Sequence, residues 1–121
     1  MRYETPGTAK EAAGLLAGEK GAAFLLAGGT DLLVKLKMGV VEPDLLVDIK
    51  RIPNIDKIQT TPKGFVIGAA VSGAEITEHK GLAKAWPGLV EAANLIGSDQ
   101  IQGRATLAGN LCNASTAADS V

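Results

Sequence analysis

The apolar positions of the first twenty residues follow a helical period. Thr8 stands three residues before Glu11, which is the spacing of a capping box at a helix N-terminus. Apolar side chains then recur on one face as far as the glycines at 18 and 21. This pattern predicts a helix over residues 8–19.

The next thirty residues show a different pattern, in which two short apolar runs flank a mixed segment. The runs at 22–27 and 45–49 are continuous, as is typical of strands buried on both faces. Between them, Asp31 is placed to cap a short helix that ends at Gly39. Strand, helix and strand in this order predict a βαβ unit with parallel strands.

The second half of the chain alternates turn residues with shorter apolar runs. Residues 55–58 and 64–69 predict the two strands of an antiparallel hairpin. A polar, helix-like stretch follows at 72–80, and Pro87 is suited to the first turn of a helix that ends near Gly97. The remaining residues are expected to form loops and a short strand. The predicted fold class is therefore α/β (α+β), with a small parallel unit first and an antiparallel sheet after it.

Composition limits the classes of function. The chain has 121 residues, of which 46% are hydrophobic but only 3% aromatic, so its core depends on aliphatic side chains. Twelve basic and thirteen acidic residues give a net charge of −1, which favours neither nucleic acid nor an anionic membrane as a partner. No apolar run approaches the roughly 20 residues that span a bilayer, and no signal peptide is visible. We expect a soluble, cytoplasmic protein without a membrane span.

The chain has one cysteine, one histidine and one tryptophan, and none of them indicates a catalytic or metal site. With one cysteine, Cys112, the chain has no internal disulfide and no cysteine-ligated cluster of its own. With one histidine, His79, a histidine-based metal site is not expected. His79 is interpreted as a solvated surface residue, Cys112 as a packed small side chain and Trp86 as a packing anchor.

Two glycine-rich loops carry the strongest functional signal. The first loop is Ala27–Asp31 (AGGTD), and the second loop is Thr106–Asn110 (TLAGN). Glycine lets the backbone approach a ligand closely, and neighbouring N–H groups then form a cradle for an anion. Taken alone, a loop like the first is more often a tight turn before a capped helix. The second, taken alone, is equally consistent with a polar surface loop. Together they predict two walls of one site for a phosphate-bearing ligand.

The loops and their surroundings resemble the FAD-binding domain of the flavin (medium) subunit of molybdenum hydroxylases, of the carbon-monoxide dehydrogenase and xanthine dehydrogenase type. The similarity runs from YETPGTAKEAAGLL through LLAGGTDLLVKLKMG and LLVDIKRI to TLAGNLCNASTAADS. The resemblance implies an FAD-binding fold in two parts. Residues 1–54 would form a small α/β subdomain, and residues 55–121 would begin a second subdomain with an antiparallel sheet. The break in the pattern near Pro53 agrees with this division.

The resemblance also implies roles for individual residues. The first loop would hold the FAD pyrophosphate through backbone N–H groups, and the second loop would add phosphate contacts. An apolar residue would pack against the flavin, and an aspartate would hold polar atoms on the flavin side. The positions that match these roles are Ala27, Gly28, Gly29, Thr30, Asp31 and Leu32, then Ile96, then Thr106, Ala108, Gly109 and Asn110, and finally Asp119. No catalytic side chain and no metal ligand is implied, because the flavin carries the redox chemistry.

Three positions depart from the family's common pattern. Gln102 replaces an arginine, Ala108 replaces the first glycine of a pair, and Thr116 stands where proline is frequent. If the loop required a positive φ at Ala108, the strain would be of order 1 kcal/mol or more.

The resemblance implies partners as well. An iron–sulfur subunit would deliver electrons that reach it from a molybdopterin subunit, and FAD would pass them to an acceptor such as NAD or a quinone. Because the sequence stops soon after the second loop, we expect a complementing C-terminal polypeptide and little activity from these 121 residues alone. The alternatives are a non-catalytic nucleotide-binding module and an assembly subunit that holds no flavin.

Overall fold

The computed structural model describes residues 1–120, which form five strands and seven helices. The strands are β1 (Arg2–Glu4), β2 (Ala23–Leu26), β3 (Leu45–Asp48), β4 (Ile58–Thr61) and β5 (Gly64–Ile67). The helices are α1 (Ala9–Gly18), α2 (Leu32–Lys37), α3 (Gly73–Glu78), α4 (Lys80–Ala85), α5 (Pro87–Asn94), α6 (Asp99–Gln102) and α7 (Leu107–Asn113). A single 3₁₀ turn, Ile49–Arg51, follows β3.

The first sheet confirms the predicted parallel βαβ unit and adds a strand to it. Its order is β1-β3-β2, and both pairings are parallel. All four residues of the central strand β3 are buried, which explains its continuous apolar sequence. The pattern did not predict β1, because a three-residue segment with charged ends has no periodicity of its own. Its pairing with β3 makes it a strand.

Helix α1 covers one face of this sheet. The Glu11 N–H donates to the Thr8 hydroxyl at 3.1 Å, so Thr8 is the predicted cap. The Glu11 carboxylate accepts from the Gly7 N–H at 2.8 Å rather than from the cap residue itself. Below the helix, Ala12 packs with Leu45 and Val47, and together they form the first hydrophobic cluster.

The second sheet is the predicted antiparallel hairpin, but its first strand starts later than the pattern indicates. Strand β4 begins at Ile58, and its register with β5 runs from Ile58 opposite Ile67 to Thr61 opposite Gly64. The chain turns at Asn54, whose φ is 64°, so Ile55 lies in a turn and its carbonyl accepts from the Ala70 N–H at 2.8 Å. The predicted strand start at residue 55 is wrong, because a single apolar side chain in a turn has the same local pattern as a strand residue.

Three helices pack against this hairpin. The polar stretch at 72–80 forms α3, where Ser72 and Glu75 make a capping box. His79 then begins α4, because its Nδ1 accepts from the Leu82 N–H at 3.0 Å. Pro87 occupies the first turn of α5, as predicted. The second hydrophobic cluster is built from side chains of this region, namely Val71, Ile76, Leu82 and Ala93.

The last third of the described chain corrects the expectation of loops and a short strand. It contains the helices α6 and α7, and Thr106 makes only an isolated β-bridge with Ser72. Each helix is short and begins at a capping side chain, Ser98 for α6 and Thr106 for α7. Such helices have too few apolar positions to show a period, so the pattern missed them.

Three predictions about single residues are wrong. His79 is half-buried, with its ring edge-on to Phe65 at a centroid distance of 5.8 Å, and it caps a helix. Trp86 is 61% exposed and does not anchor the core, and Cys112 is exposed rather than packed. Within residues 1–120, no helix is both long enough and apolar enough to cross a bilayer.

Candidate functional site: a cavity between two glycine-rich loops

The two glycine-rich loops face each other across a cavity of about 570 Å³. The first loop leaves the carboxyl end of β2, and the second loop opens α7. Ten of the twelve predicted site residues line the cavity, namely Ala27, Gly28, Gly29, Thr30, Asp31, Leu32, Thr106, Ala108, Gly109 and Asn110. The sequence placed these residues in two separate segments, and the fold brings them together.

Gly28 is the point where the segments touch. A Cβ atom built on Gly28 would lie 1.7 Å from the carbonyl oxygen of Arg104 and 3.3 Å from the Cα of Ala105. No side chain fits in that gap, so a glycine is required for this close approach of two backbones. On the far side of the cavity, Lys35 on α2 donates to the Asn113 side chain on α7 at 3.0 Å. The segments that carry the two loops are therefore joined at two places.

The first loop presents a row of unpaired backbone donors. Within residues 1–120, the N–H groups of Gly28, Gly29, Thr30 and Asp31 have no protein acceptor, and the hydrogen-bonded helix begins with Leu33 donating to Gly29 at 2.9 Å. Asp31 precedes α2 as predicted, but its side chain makes no capping hydrogen bond. Gly29 has a φ of 81°, a conformation that side chains rarely adopt. Consecutive free donors in such a turn form a cradle for an anion.

The second loop is organised differently. The Thr106 hydroxyl accepts from the Gly109 N–H at 3.0 Å, and the Asn110 N–H donates to the Thr106 carbonyl at 3.1 Å. Across the described chain, only Asn54 and Ala114 among non-glycine residues have a positive φ, so Ala108 is unstrained in α7. The expected strain at Ala108 is absent because a helix, and not a left-handed turn, follows Thr106.

The structure does not bring the other two predicted residues into this cavity. Ile96 follows α5 and is 7% exposed, and Asp119 is exposed near the end of the described chain. Neither side chain lines the cavity. The segment that carries Asp119 is nevertheless linked to the second loop, because the Asn110 side chain donates to the Ser120 hydroxyl at 2.9 Å.

A smaller cavity of about 360 Å³ shares Gly28 with the larger one, and Lys50 and Arg104 contribute to its walls. The Lys50 ammonium donates to the carbonyl of Ala27 at 2.9 Å and lies 2.8 Å from Asp48 Oδ1. The Asp48 carboxylate also accepts from the Tyr3 hydroxyl. The partners come from all three strands of the parallel sheet, because Tyr3 lies within β1, Asp48 ends β3 and Ala27 follows β2. Their meeting is therefore a product of the topology.

This network shifts the pKa values of two of its members. Burial acts to raise the pKa of Asp48, but hydrogen bonds from Lys50 and Tyr3 outweigh it, and the net pKa is lower than usual. The hydrogen bond to the Asp48 carboxylate raises the pKa of Tyr3, because it favours the protonated phenol. Asp48 is therefore a carboxylate and Tyr3 a neutral phenol at neutral pH.

Sequence reasoning missed this network. Tyr3, Asp48 and Lys50 lie in segments that were interpreted only as a chain start, a strand end and a break. The available signal was a charged pair, Asp48 and Lys50, directly after a buried strand. Polar residues at the carboxyl ends of parallel strands are where such sheets place their sites.

The larger cavity offers both an apolar surface and free backbone donors, as a ligand with apolar rings and a diphosphate requires. Its volume lies within the range of roughly 300–1,000 Å³ found for small-molecule sites. Apolar side chains such as Phe24 and Leu25 line one part of it, and the free N–H groups of the first loop line another. FAD combines an anionic pyrophosphate with planar apolar rings, so the residues present fit that group.

Comparisons with known proteins give the same result. Residues 1–121 match the model of a family described as the FAD binding domain in molybdopterin dehydrogenase. The chain is 34% identical to the nicotinate dehydrogenase FAD-subunit of Eubacterium barkeri, with 100% of this chain and 41% of that protein covered. It is 35% identical to the xanthine dehydrogenase FAD-binding subunit of Escherichia coli O157:H7, with 98% and 40% covered.

The fold agrees with solved structures. A chain of the reconstituted CO dehydrogenase from Oligotropha carboxidovorans superimposes with a TM-score of 0.91 at 30% identity, covering 99% of this chain and 42% of that one. The chain thus spans about two fifths of the length of the relatives that it matches. On its sequence, fold and paired loops, the chain belongs to the family of FAD-binding domains of molybdopterin dehydrogenases.

Proposed function

We propose that these residues bind FAD within a flavin subunit, with the pyrophosphate on the first loop and the second loop closing the opposite wall. The observation that carries this proposal is the row of four unpaired N–H groups at Gly28–Asp31, which faces a cavity shared with the second loop. Hydrogen bonds to a charged group contribute about 1.5–3 kcal/mol each, so a few such donors give a specific anion site.

The charges around the cavity support the use of backbone donors. Asp31 and Lys35 both line the cavity, so side chains of opposite sign balance there. A phosphate in this place gains little from net side-chain charge and depends on oriented N–H groups. Ala108, which lines the cavity, supplies one further N–H group without a protein acceptor among residues 1–120, and it extends the donor set to the second loop.

The remaining assignments rest mainly on the family resemblance. We assign Asp119 to polar atoms on the flavin side, supported by the hydrogen bond that holds the neighbouring Ser120 beside Asn110. We assign Ile96 to apolar contact with the flavin ring. Both residues lie outside the cavity, so these two assignments require the flavin half to extend beyond it.

We also propose that residues 1–54 and 55–121 are two subdomains with FAD between them. The two hydrophobic clusters support this division. Every buried member of the cluster around Leu45 and Val47 precedes residue 54, and every member of the cluster around Ile76 and Leu82 follows it. Each part therefore has its own small core.

In the intact protein, we propose that this flavin site serves a cytoplasmic molybdenum hydroxylase with an iron–sulfur and a molybdopterin subunit. FAD when bound supplies the redox chemistry, accepting electrons from the clusters and donating them to an external acceptor. The chain's residues supply binding and orientation. An exposed apolar surface on and after α2, formed by Leu33, Val34, Met38 and Val40, supports contact with further polypeptide.

Ligand titration tests the assignment of the loops. We expect the intact protein to bind FAD at least tenfold more tightly than riboflavin, because only FAD carries the pyrophosphate. Fluorescence quenching of each flavin measures the two affinities. Equal affinity would overturn the pyrophosphate assignment, and binding of neither flavin would favour a structural module instead.

A further inference from the structure

Lys50 lies directly behind the first loop. Its ammonium donates to the carbonyl oxygen of Ala27, the residue that links strand β2 to Gly28. It is itself held by the carboxylate of Asp48, which also accepts from the Lys50 N–H at 3.0 Å and from Tyr3. Asp48 is 7% exposed, so this anchor is fixed in the sheet and is shielded from solvent.

The planarity of the peptide bond makes this contact important for the cavity. The carbonyl of Ala27 and the N–H of Gly28 belong to one trans peptide unit, in which the two groups point in opposite directions. Lys50 lines the smaller cavity and not the larger one, whereas Gly28 lines both. A carbonyl held toward Lys50 therefore turns the Gly28 N–H away from Lys50, and the larger cavity is the one that Lys50 does not line.

Resting on the proposed FAD function, we propose that Lys50 is a positioning residue, which orients the Gly28 N–H for the pyrophosphate by holding the Ala27 carbonyl. Without Lys50, this peptide unit is free to rotate, because its rotation changes ψ of Ala27 and φ of Gly28, and glycine permits a wide range of φ. The peptide would then turn its carbonyl toward the phosphate in part of the population, and a repulsive dipole would replace an attractive one.

Because Lys50 forms an ion pair with Asp48, a positioning role can be distinguished from simple electrostatic attraction of the phosphate. Because the two charges lie 2.8 Å apart, the field of Lys50 at the larger cavity is largely cancelled. Removal of Lys50 should therefore weaken binding by a similar factor at low salt and at high salt. A lysine that acted by attracting the phosphate would lose its effect as added salt screened its charge.

The test compares Lys50→Met with Lys63→Met in the intact protein. Both variants remove one lysine charge, but Lys63 is exposed in the turn between β4 and β5. We expect Lys50→Met to bind FAD about 10- to 150-fold more weakly, the loss of one hydrogen bond to a charged group. Riboflavin affinity should change less than twofold, and Lys63→Met should bind both flavins as the wild type does.

Two further variants at position 50 complete the test. Lys50→Arg keeps a donor near Ala27 and should recover most of the FAD affinity, and Lys50→Gln serves as the second variant if Lys50→Met does not fold. Unchanged FAD affinity, or an equal loss for FAD and riboflavin, would overturn the positioning role. A wild-type protein that does not prefer FAD to riboflavin would instead overturn the proposed function on which it rests.

Discussion

The two loops have a similar composition but differ in how their backbone donors are used. In the second loop, the Thr106 hydroxyl already accepts from Gly109, so the loop satisfies part of its own hydrogen-bonding capacity. In the first loop, Asp31 makes no capping bond, and four successive N–H groups remain free. A helix start that caps itself has less to offer a ligand. We therefore propose that the first loop is the main anion site and that the second loop is a structural wall.

The two loops also differ in how strictly their backbone requires glycine. At Gly28 a side chain would collide with the backbone of Arg104, and at Gly29 it would require an unfavourable φ. At Gly109 the nearest atom to an added Cβ is the Thr106 hydroxyl oxygen at 2.6 Å, the end of a side chain that can rotate. Backbone atoms cannot move aside as a side chain can. We therefore expect a glycine substitution to have a larger effect in the first loop than in the second.

The largest effect is expected for Gly28→Ala. The new methyl group would lie 1.7 Å from the Arg104 carbonyl oxygen, so the two backbones must move apart and the cavity opens. We expect FAD binding to be abolished and stability to fall by about 1–3 kcal/mol or more, the usual cost of overpacking. Flavin titration and denaturant unfolding measure the two effects.

Gly109→Ala is the matched control in the second loop. It should weaken FAD binding by less than Gly28→Ala, because rotation of the Thr106 side chain relieves its clash. If the two alanine variants lost affinity equally, the loops would contribute alike and the comparison would be wrong.

Gly29→Val should have the next largest effect. Valine at a φ of 81° is strained by about 1–2 kcal/mol, and its Cβ would press on the Leu33 side chain at 2.8 Å. We expect FAD affinity to fall about 10- to 150-fold, equivalent to about 1.5–3 kcal/mol, as one charge-assisted hydrogen bond is lost. Isothermal titration with FAD provides the measurement.

Gly39→Val controls for backbone strain alone. Gly39 also has a positive φ, 67°, but an added Cβ would meet no atom within 4 Å, and the residue does not line the cavity. It should lose similar stability and keep its FAD affinity. Normal FAD binding by Gly29→Val would show that the first loop is only a turn.

Much of the first half of the fold could be predicted from sequence, and the reason is periodicity. The strands β2 and β3 and the helix α1 each have several apolar positions in phase, and in β3 the local pattern and tertiary burial agree at every residue. Strand β1 and the short helices α6 and α7 have no such pattern, because they form through pairing with β3 and through single capping side chains.

The site was predictable in part for a different reason. Glycine pairs beside short polar residues mark backbone that approaches a ligand, so ten cavity residues could be named in advance. The network of Tyr3, Asp48 and Lys50 could not be, because it depends on which strands are neighbours. The order β1-β3-β2 places these groups together, and no single segment of the sequence predicts that order.

Thr106→Val should have a smaller effect, mainly on stability. The substitution removes the hydroxyl that caps α7 and leaves the Gly109 N–H unpaired, a loss of about 1 kcal/mol. FAD affinity should fall less than tenfold, because the free donors of the first loop remain. Thr8→Val removes the cap of α1, far from the cavity, and should lose similar stability with no change in FAD affinity. A Thr106→Val loss as large as that of Gly29→Val would make the second loop an equal phosphate site.

The smallest effect is expected from acid. It should act on the support of the first loop and also on Glu19, whose pKa is lowered by hydrogen bonds from Gly21 and Arg2, but not on the support of the second loop. The net pKa of Asp48 is lowered from 3.8 by its hydrogen bonds from Lys50 and Tyr3, which outweigh burial. A lowered pKa in the folded state stabilises the protein above the pKa of the unfolded chain, and this stabilisation is lost as the pH falls through the folded value. Urea unfolding at pH 7, 4, 3 and 2 should therefore show a loss in acid that Asp48→Asn reduces.

Two further variants make the acid measurement specific to the first loop. Glu91→Gln, at an exposed position of α5, and Thr106→Val should both keep the wild-type acid loss. The support of the second loop contains no ionisable group, since Thr106 holds it through a hydroxyl and a carbonyl. If Asp48→Asn lost stability in parallel with the wild type between pH 4 and pH 2, the anchor of Lys50 would not depend on the Asp48 carboxylate. The difference between the loops would then lie in their backbone geometry alone.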